Sequence, residues 1–336
     1  MFRDNKFVLV TGATGFIGAH VVDVLLARGI KVRGATRSLD KGREMIKARP
    51  KHSANLEFVQ IQDFENPGGL AEAVKGVDGV IHVASPFTYD TTDNEKELII
   101  PAINGVRAVL EACTTNTNIS HVVITSSFAA VVDIKREGPY DYSGKDWNPL
   151  TYEEAAAPTT DSVVAYRGSK KFAELEAWKF VEEQKPGFDI VTLCPPMTFG
   201  PIAHPISKLE QLNESNAVLW SVAKGASPLP VPKVPFWIDV RDLATAHVHA
   251  LLQESAGGSR LTPNAEKKFS YGLAAQIISE HFLHLRETIH LEDQPMDESK
   301  SLDGKTAAKE LGFEYRTFEE TVTDFIKQCL EMEKSR

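Results

Sequence analysis

VTGATGFIG, residues 10–18, sets three glycines, Gly12, Gly15 and Gly18, between two different patterns. Before it, KFVLVTG (6–12) is a short apolar run of the kind that forms a buried strand. After it, FIGAHVVDVLLARG (16–29) carries apolar residues at helical spacing and stops at Gly29. Glycines at a strand-to-helix turn let the backbone bend sharply and come close to a pyrophosphate. The helix start adds unpaired N–H groups and the positive end of a dipole. The spacing is G-x-x-G-x-x-G rather than G-x-G-x-x-G, and a glycine motif alone is weak evidence. Its force comes from the strand before it and the helix after it. The competing reading is a tight turn with no ligand.

The pattern repeats downstream. KVRGAT (31–36), LEFVQI (56–61), GVIHVAS (79–85), HVVITSS (121–127) and FDIVTLCPP (188–196) read as strands. Between them lie a charged helix that Ser38 can cap, the short PGGLAEAVKG (67–76), the long EKELIIPAINGVRAVLEACTT (95–115), and a helix around Tyr166. Strands alternating with helices at this spacing predict an α/β fold, a Rossmann-type doubly wound parallel sheet. After Pro195 the texture turns to proline and polar loop residues. This predicts a smaller C-terminal substrate lobe with a helix near 207–224 and a closing amphipathic helix from Thr317. The predicted division is 1–194 for nucleotide binding and 195–336 mainly for substrate, with about 236–253 returning to the first domain. Asp239 to Asp242 read as helix-start residues.

Bulk composition narrows the function. The 336 residues contain 42% hydrophobic and 25% charged side chains, ordinary for a globular protein, and the net charge of −9 disfavours general nucleic-acid binding. No apolar run reaches membrane-spanning length, and a strand pattern starting at residue 6 leaves no room for a signal peptide, so a cytoplasmic protein is expected. Cys113, Cys194 and Cys329 lack metal spacing and read as reduced thiols; no metal site is expected.

Cofactor preference follows from the end of the second strand. NAD binders place an acid there for the ribose 2′-hydroxyl. Here GATRSLDK puts Thr36 and Arg37 in that place, with Lys41 one helical turn on. Two cations suit a 2′-phosphate, which predicts NADPH/NADP+. Otherwise they are solvated surface charges.

AYRGSKKF (165–172) spaces Tyr166 and Lys170 four apart on one helix face. A phenol with pKa about 10 is a poor proton donor near neutrality, and a neighbouring ammonium lowers that value. Ser126 and Ser127 end the fifth strand, where active-site groups of open α/β sheets gather. A serine there can bond a carbonyl oxygen that Tyr166 then protonates. Each piece has a plainer reading: a surface pair on a helix, and a strand end with local hydrogen bonds. The order of glycine loop, Ser127, Tyr166 and Lys170 favours chemistry.

In this order TGATGFIG, TSS and YRGSK resemble the extended short-chain dehydrogenase/reductase family. HVASPFTYD, ELIIPAINGVRAVLEA, DWNPLTYEEA, AYRGSKKFAELEAWKFVEE and IDVRDLATAH are similar to its fungal-type NADPH-dependent aldehyde and ketone reductases, the methylglyoxal/isovaleraldehyde reductase group, akin to plant dihydroflavonol 4-reductases and cinnamoyl-CoA reductases. The resemblance implies a catalytic Ser127, Tyr166 and Lys170. It implies a cofactor held by Gly12, Thr14, Gly15, Phe16, Ile17 and Gly18, by Arg37 and Lys41 at the 2′-phosphate, and by Asp63 and Phe64 at adenine. Ala84 and Ser85 would lie beside its bridging region, Tyr166, Lys170 and Pro195 to Thr198 beside the nicotinamide, and Ser215 at a further contact. Phe87, Phe128 and Phe199 would line the substrate pocket, or simply pack in the core. Departures are Cys194 where asparagine is usual, Phe128 and Met197 where relatives often carry tyrosine, and the loop FGPIAHPIS. They imply a greasier pocket. His204 in that loop reads as solvated, with a substrate-facing role as the alternative.

The expected activity is reduction of an aldehyde or ketone, with a small-molecule carbonyl partner and a monomeric or homodimeric chain. Alternatives are a hydroxysteroid-type alcohol dehydrogenase, a sugar-nucleotide epimerase or dehydratase, and a non-catalytic NADP(H) sensor. The epimerases would prefer an acid after the second strand, and dehydratases add acids beside the serine. SSFAAV offers none. A sensor would commonly lose the tyrosine or lysine, and both are present.

Overall fold

The computed structural model describes residues 6–64, 67–85 and 91–334. Strands β1 (Phe7–Thr11), β2 (Lys31–Thr36), β3 (Leu56–Gln60), β4 (Gly79–His82) and β5 (His121–Thr125) alternate with helices α1 (Phe16–Ala27), α2 (Leu39–Lys47), α3 (Pro67–Ala73) and α4 (Ile100–Thr114). A short strand β6 (Tyr140–Tyr142) and helices α5 (Tyr152–Ala156) and α6 (Ser162–Gln184) lead to β7 (Asp189–Leu193). The rest comprises β8 (Met197–Phe199), α7 (Glu214–Ala223), β9 (Trp237–Asp239), α8 (Val240–Leu252), β10 (Arg260–Leu261), α9 (Tyr271–His281), β11 (Lys300–Leu302), α10 (Gly304–Leu311) and α11 (Phe318–Lys334).

Seven strands form one sheet in the order β10-β7-β5-β4-β1-β2-β3, with every pair parallel. The chain winds outward from β1 to β3, then crosses to the other side of β1 with β4. That reversal opens a crevice at the carboxyl ends of β1 and β4. Thr11 closes its floor: its hydroxyl accepts from the N–H groups of Val83 and Ala84 at 3.2 and 3.1 Å and bonds His82 Nδ1 at 2.8 Å. Both sheet faces are covered, as a parallel sheet requires. One buried cluster joins the sheet to α1, α8 and α10, through Val21, Leu25, Val248 and Leu311; the other joins it to α3, α4 and α6, through Leu70, Val109, Ala177 and Phe180. A third core, around Phe199, Trp220, Trp237, Phe269 and Phe325, holds α7, α9 and α11 together. Among the described residues no helix is long and apolar enough to cross a membrane.

Several elements differ from the sequence reading. The long helix expected over 95–115 begins as a π turn, Glu95–Ile99, before α4. Pro101 has no N–H to donate to the carbonyl four residues back, and it sits in the first turn of α4, where no such bond is needed. The helix expected over 207–224 is a 3₁₀ turn, Leu209–Gln211, followed by extended backbone at Leu212 and Asn213 before α7. Segment 236–253 divides: α8 packs along α1, while β9 pairs with β8 in a separate two-stranded sheet. Asp239 caps α8 as expected, accepting from the Arg241 N–H at 2.8 Å. All three cysteines are buried and unbridged.

One long-range polar contact fixes α6 against the sheet. Arg260 on β10 makes a two-pronged ion pair with Glu174 on α6, at 2.8 and 3.1 Å. The side chains are 8% and 1% exposed. Removing one partner of a buried pair strands the other charge, at a cost of about 3–5 kcal/mol. Glu174→Ala is therefore expected to lower the unfolding free energy by about that amount in urea titrations. A loss below about 1 kcal/mol would mean that the pair does not anchor the helix.

Candidate active site

The glycine loop crosses the crevice where the backbone leaves no room for side chains. Gly12 has φ +66°, and a Cβ there would come within 2.9 Å of the Ala84 nitrogen. A Cβ on Gly18 would lie 2.1 Å from the Gly12 carbonyl oxygen. The Gly15 N–H donates to that same oxygen at 2.9 Å and closes the turn. Helix α1 then starts at Phe16 and Ile17 with no side-chain cap and no acid in its first turn. The N–H groups of a first helical turn lack intrahelical partners, so this end is open to an anion. Thr14 Oγ1 bonds Thr36 Oγ1 at 3.0 Å, tying the loop to the end of β2.

Arg37 and Lys41 stand just beyond that tie, both exposed. Ser38 caps α2 by accepting from the Lys41 N–H at 3.4 Å, which sets Lys41 one turn from Arg37. Nearby arginines are neutralised: Arg33 by Glu57, Arg43 by Asp40 and Arg49 by Asp23. Among the described residues no carboxylate pairs with Arg37 or Lys41. Two unpaired cations beside a glycine loop in an acidic chain fit a phosphomonoester. Asp63 is exposed after β3, and Phe64 lies half-buried with its ring 6.0 Å from His82.

The structure separates the two serines that end β5. Ser126 donates its hydroxyl to Glu174 at 2.7 Å and belongs to the anchor of α6. Ser127, in extended backbone, accepts from the Ala129 N–H at 3.2 Å. One of its two lone pairs is so occupied, and its O–H is left to donate. On α6, Tyr166 and Lys170 share a face, with the ammonium 5.6 Å from the centre of the phenol ring. Tyr166 is half-buried and Lys170 buried. Burial lowers the Lys170 pKa to about 8. Its ammonium donates to Ser85 Oγ at 2.7 Å.

Residues that sequence reasoning missed hold the Ser127 turn against α6. Asn148 is buried and donates to the carbonyls of Ala129 and Arg167 at 2.6 and 3.2 Å. The Arg167 guanidinium reaches the Val132 carbonyl, and Lys171 donates to the Asn148 and Leu150 carbonyls at 2.8 and 2.6 Å. The Phe128 N–H donates to the Pro195 carbonyl at 3.0 Å, bringing the end of β7 beside the same turn. A buried asparagine in DWNPL is a sequence signal only if its two carbonyl partners are known.

The remaining expected contacts divide. Ser215 donates to the Thr198 carbonyl, so these two lie together, with the serine proton committed to backbone. Phe128 is half-buried against Val131, Tyr142, Cys194 and Phe236. Phe199 is fully buried among Phe269, Tyr271 and Phe318, so it is a core aromatic of the lobe. Phe87 lies outside the described residues. Cys194 does not face a pocket: it is fully buried, its thiol 3.5 Å from Glu174, and burial pushes its pKa up. Met197 packs against the lobe core. His204 is half-buried rather than fully solvated, with its Nδ1 buried and its ring 5.9 Å from Phe16. Burial, with His20 and Lys41 nearby, lowers its pKa to about 4. The loop carrying it is held by His20 of α1, bonded to the Pro201 carbonyl at 2.8 Å, and by Arg49, just beyond α2, which donates to the Ala203 carbonyl at 3.0 Å.

The chain is similar over nearly its whole length to known proteins. A putative uncharacterized oxidoreductase of Schizosaccharomyces pombe is 38% identical over 332 residues, covering 97% of this chain and 98% of the relative. The NADPH-dependent methylglyoxal reductase GRE2 of Saccharomyces cerevisiae is 34% identical over 343 residues, covering 97% and 98%. The crystal structure of yeast methylglyoxal/isovaleraldehyde reductase Gre2 complexed with NADPH superposes with a TM-score of 0.88 at 32% identity, covering 98% of this chain and 100% of the other. The family model for NAD dependent epimerases/dehydratases matches residues 8–262, from β1 through β10, and the chain belongs to that family.

Proposed function

We propose that this protein is an NADPH-dependent carbonyl reductase that converts a small aldehyde or ketone to an alcohol. The observation that carries the reading is the buried Lys170 ammonium beside the Tyr166 phenol, on a helix locked to the strand end that presents Ser127. The names of the relatives, methylglyoxal reductase among them, favour a small carbonyl substrate.

When bound, NADPH supplies the hydride that reaches the carbonyl carbon. The chain's own residues manage the oxygen. Ser127 donates a hydrogen bond to it and fixes its position. Tyr166 donates a second bond and gives up its proton as negative charge builds on the oxygen. The Lys170 cation favours the phenolate that remains and so makes Tyr166 a stronger acid near neutrality. Gly12, Gly15 and Gly18 with the first turn of α1 would hold the pyrophosphate, and Arg37 and Lys41 the 2′-phosphate. Asp63, Phe64, Ala84, Ser85, Pro195, Thr198 and Ser215 are assigned to the cofactor on the family resemblance, and Phe87 and Phe128 to the substrate. Residues 1–194 are assigned to cofactor binding and the later lobe mainly to substrate.

The cation pair makes a measurable distinction. A charge-assisted contact is worth about 1.5–3 kcal/mol, or roughly 10- to 100-fold in affinity. Arg37→Ala is expected to weaken NADPH binding by about that factor and NADH binding by less than about twofold, read by quenching of protein fluorescence. Equal losses for both cofactors would place Arg37 elsewhere. The catalytic assignment is tested with a panel of aldehydes, α-dicarbonyls and aryl ketones, following loss of reduced nicotinamide absorbance. Tyr166→Phe is expected to cut kcat by at least about 100-fold with NADPH binding intact. Turnover that survives the substitution would remove Tyr166 as the proton donor.

A further inference from the structure

A groove lies where the turn that carries Ser127 ends. The turn runs on from Phe128 to Val132, whose N–H donates to the Phe128 carbonyl at 2.9 Å and whose carbonyl is held by Arg167, the neighbour of Tyr166 on α6. Val132 and Phe236 are buried residues of the groove lining. They pack in one apolar cluster with Val131, Val234 and Phe128, the residue assigned above to the substrate. Ile134 and Val231 line the groove from two separate segments and are 39% and 77% exposed. Met296 adds a third apolar side chain from a further segment.

The polar groups of the lining are spent on the chain itself. The Gln294 amide donates to the Pro230 carbonyl at 2.9 Å and accepts from the Gly272 N–H at 3.0 Å. Ser270 caps α9 by accepting from the Leu273 N–H at 3.0 Å. Asp133 accepts from the Lys135 N–H at 2.9 Å, and Asp297 from the Ser299 N–H at 2.9 Å. The Gln294 bonds tie the segments around 230 and 294 to each other and to α9, so the groove is preformed. Among its charged groups Asp133 and Asp297 balance Lys233 and Lys300. The lining therefore selects neither an anion nor a cation, and what it offers a ligand is apolar surface. Its volume is about 160 Å³. An apolar cavity of about 150 Å³ accepts a benzene ring.

We propose that this groove holds the apolar tail of the carbonyl substrate, and that the substrates include aldehydes and ketones carrying a neutral alkyl chain or aryl ring of about six carbons. The proposal rests on the carbonyl-reductase reading. It adds to that reading a determinant of size and polarity built from Ile134, Val231 and Met296, which lie outside the residues assigned to cofactor and chemistry. Met296 is unbranched and flexible, which suits it to tails of different shape. Burying one methylene is worth about fourfold in affinity, so each carbon that enters the groove raises kcat/KM by up to that factor.

The test measures kcat/KM at saturating NADPH for methylglyoxal, for straight-chain α-oxoaldehydes of rising length and for phenyl-substituted ones. Wild type is compared with Val231→Asp, Ile134→Asp and Val231→Leu. Both positions are exposed, so the variants keep the fold. In wild type kcat/KM is expected to climb about two- to fourfold per carbon that enters the groove and to level off once about six have entered. Either aspartate is expected to lower the value for the longest substrates about tenfold, chiefly through KM, with methylglyoxal and Val231→Leu within about twofold of wild type. A flat wild-type series would overturn the tail site. So would a climb that both aspartates leave unchanged, and if the aspartates then altered only the oligomeric state in size-exclusion chromatography, the groove would be an interface between copies. Wild type inactive on every carbonyl would remove the reductase reading and the tail site with it, whereas turnover of methylglyoxal with a flat series would overturn the tail site alone.

Discussion

The Glu174 carboxylate is the constraint on which the geometry of the site depends. It takes two guanidinium bonds from Arg260 on the edge strand, one hydroxyl bond from Ser126 at the end of β5, and a weak contact from the Cys194 thiol at the end of β7. Three neighbouring strands are thereby tied to one point of α6. Tyr166 and Lys170 lie on the same helix, two turns and one turn before it. A helix is stiff over that distance, so fixing Glu174 fixes the rotation and height of the catalytic face. Arg260 is itself oriented by the Gly144 carbonyl at 3.1 Å and by its stacking over Trp147, 3.6 Å from the ring centre. An ion pair so supplied with extra bonds offsets more of its desolvation cost than an isolated one.

Charge is apportioned differently in each layer of the molecule. The structural cation Arg260 is buried and fully paired. Arg37 and Lys41 lie exposed with no carboxylate among the described residues, which keeps their donors available for a ligand. Lys170 falls between these cases: buried, yet bonded to a neutral hydroxyl, with its pKa lowered to about 8. This setting leaves the ammonium 5.6 Å from the centre of the Tyr166 ring, bonded to a neutral hydroxyl.

What could be read from the sequence is what depends on neighbours in the chain. The glycine loop is announced by the change from strand to helix periodicity around it, and the Tyr166–Lys170 pair by its four-residue spacing on a helix. Arg37 and Lys41 follow from their place just after β2. What could not be read are the contacts across large sequence separations. Ser85 and Lys170 are 85 residues apart, and Glu174 and Arg260 are 86 apart. Within AELEAWKF an acid looks like part of a solvated helix face, so nothing local distinguishes Glu174 from Glu176. The sequence order and the family resemblance point to Ser127; what they do not show is the bond that gives Ser126 a separate partner in Glu174. Strand β10 has two residues, too few to carry a period, and Phe199 shows its aromatic neighbours only when α9 and α11 fold over it.

The same contacts bear on which chemistry of the family this site can run. Dehydration of a sugar nucleotide needs groups beside the serine that remove a proton from carbon and protonate a leaving oxygen. Here Ser127 is followed by Ala129 and Ala130, both buried and backed by Asn148, a neutral amide already bonded to two carbonyls. Glu174, the acid bonded to Ser126 at this strand end, is taken up by Arg260 and Ser126. Converting it to a base would cost the anchor of α6. Among the described residues, the carboxylate that the structure bonds to this strand end is therefore already occupied, which fits reduction of a carbonyl better than dehydration and agrees with the exposed cations Arg37 and Lys41 after β2.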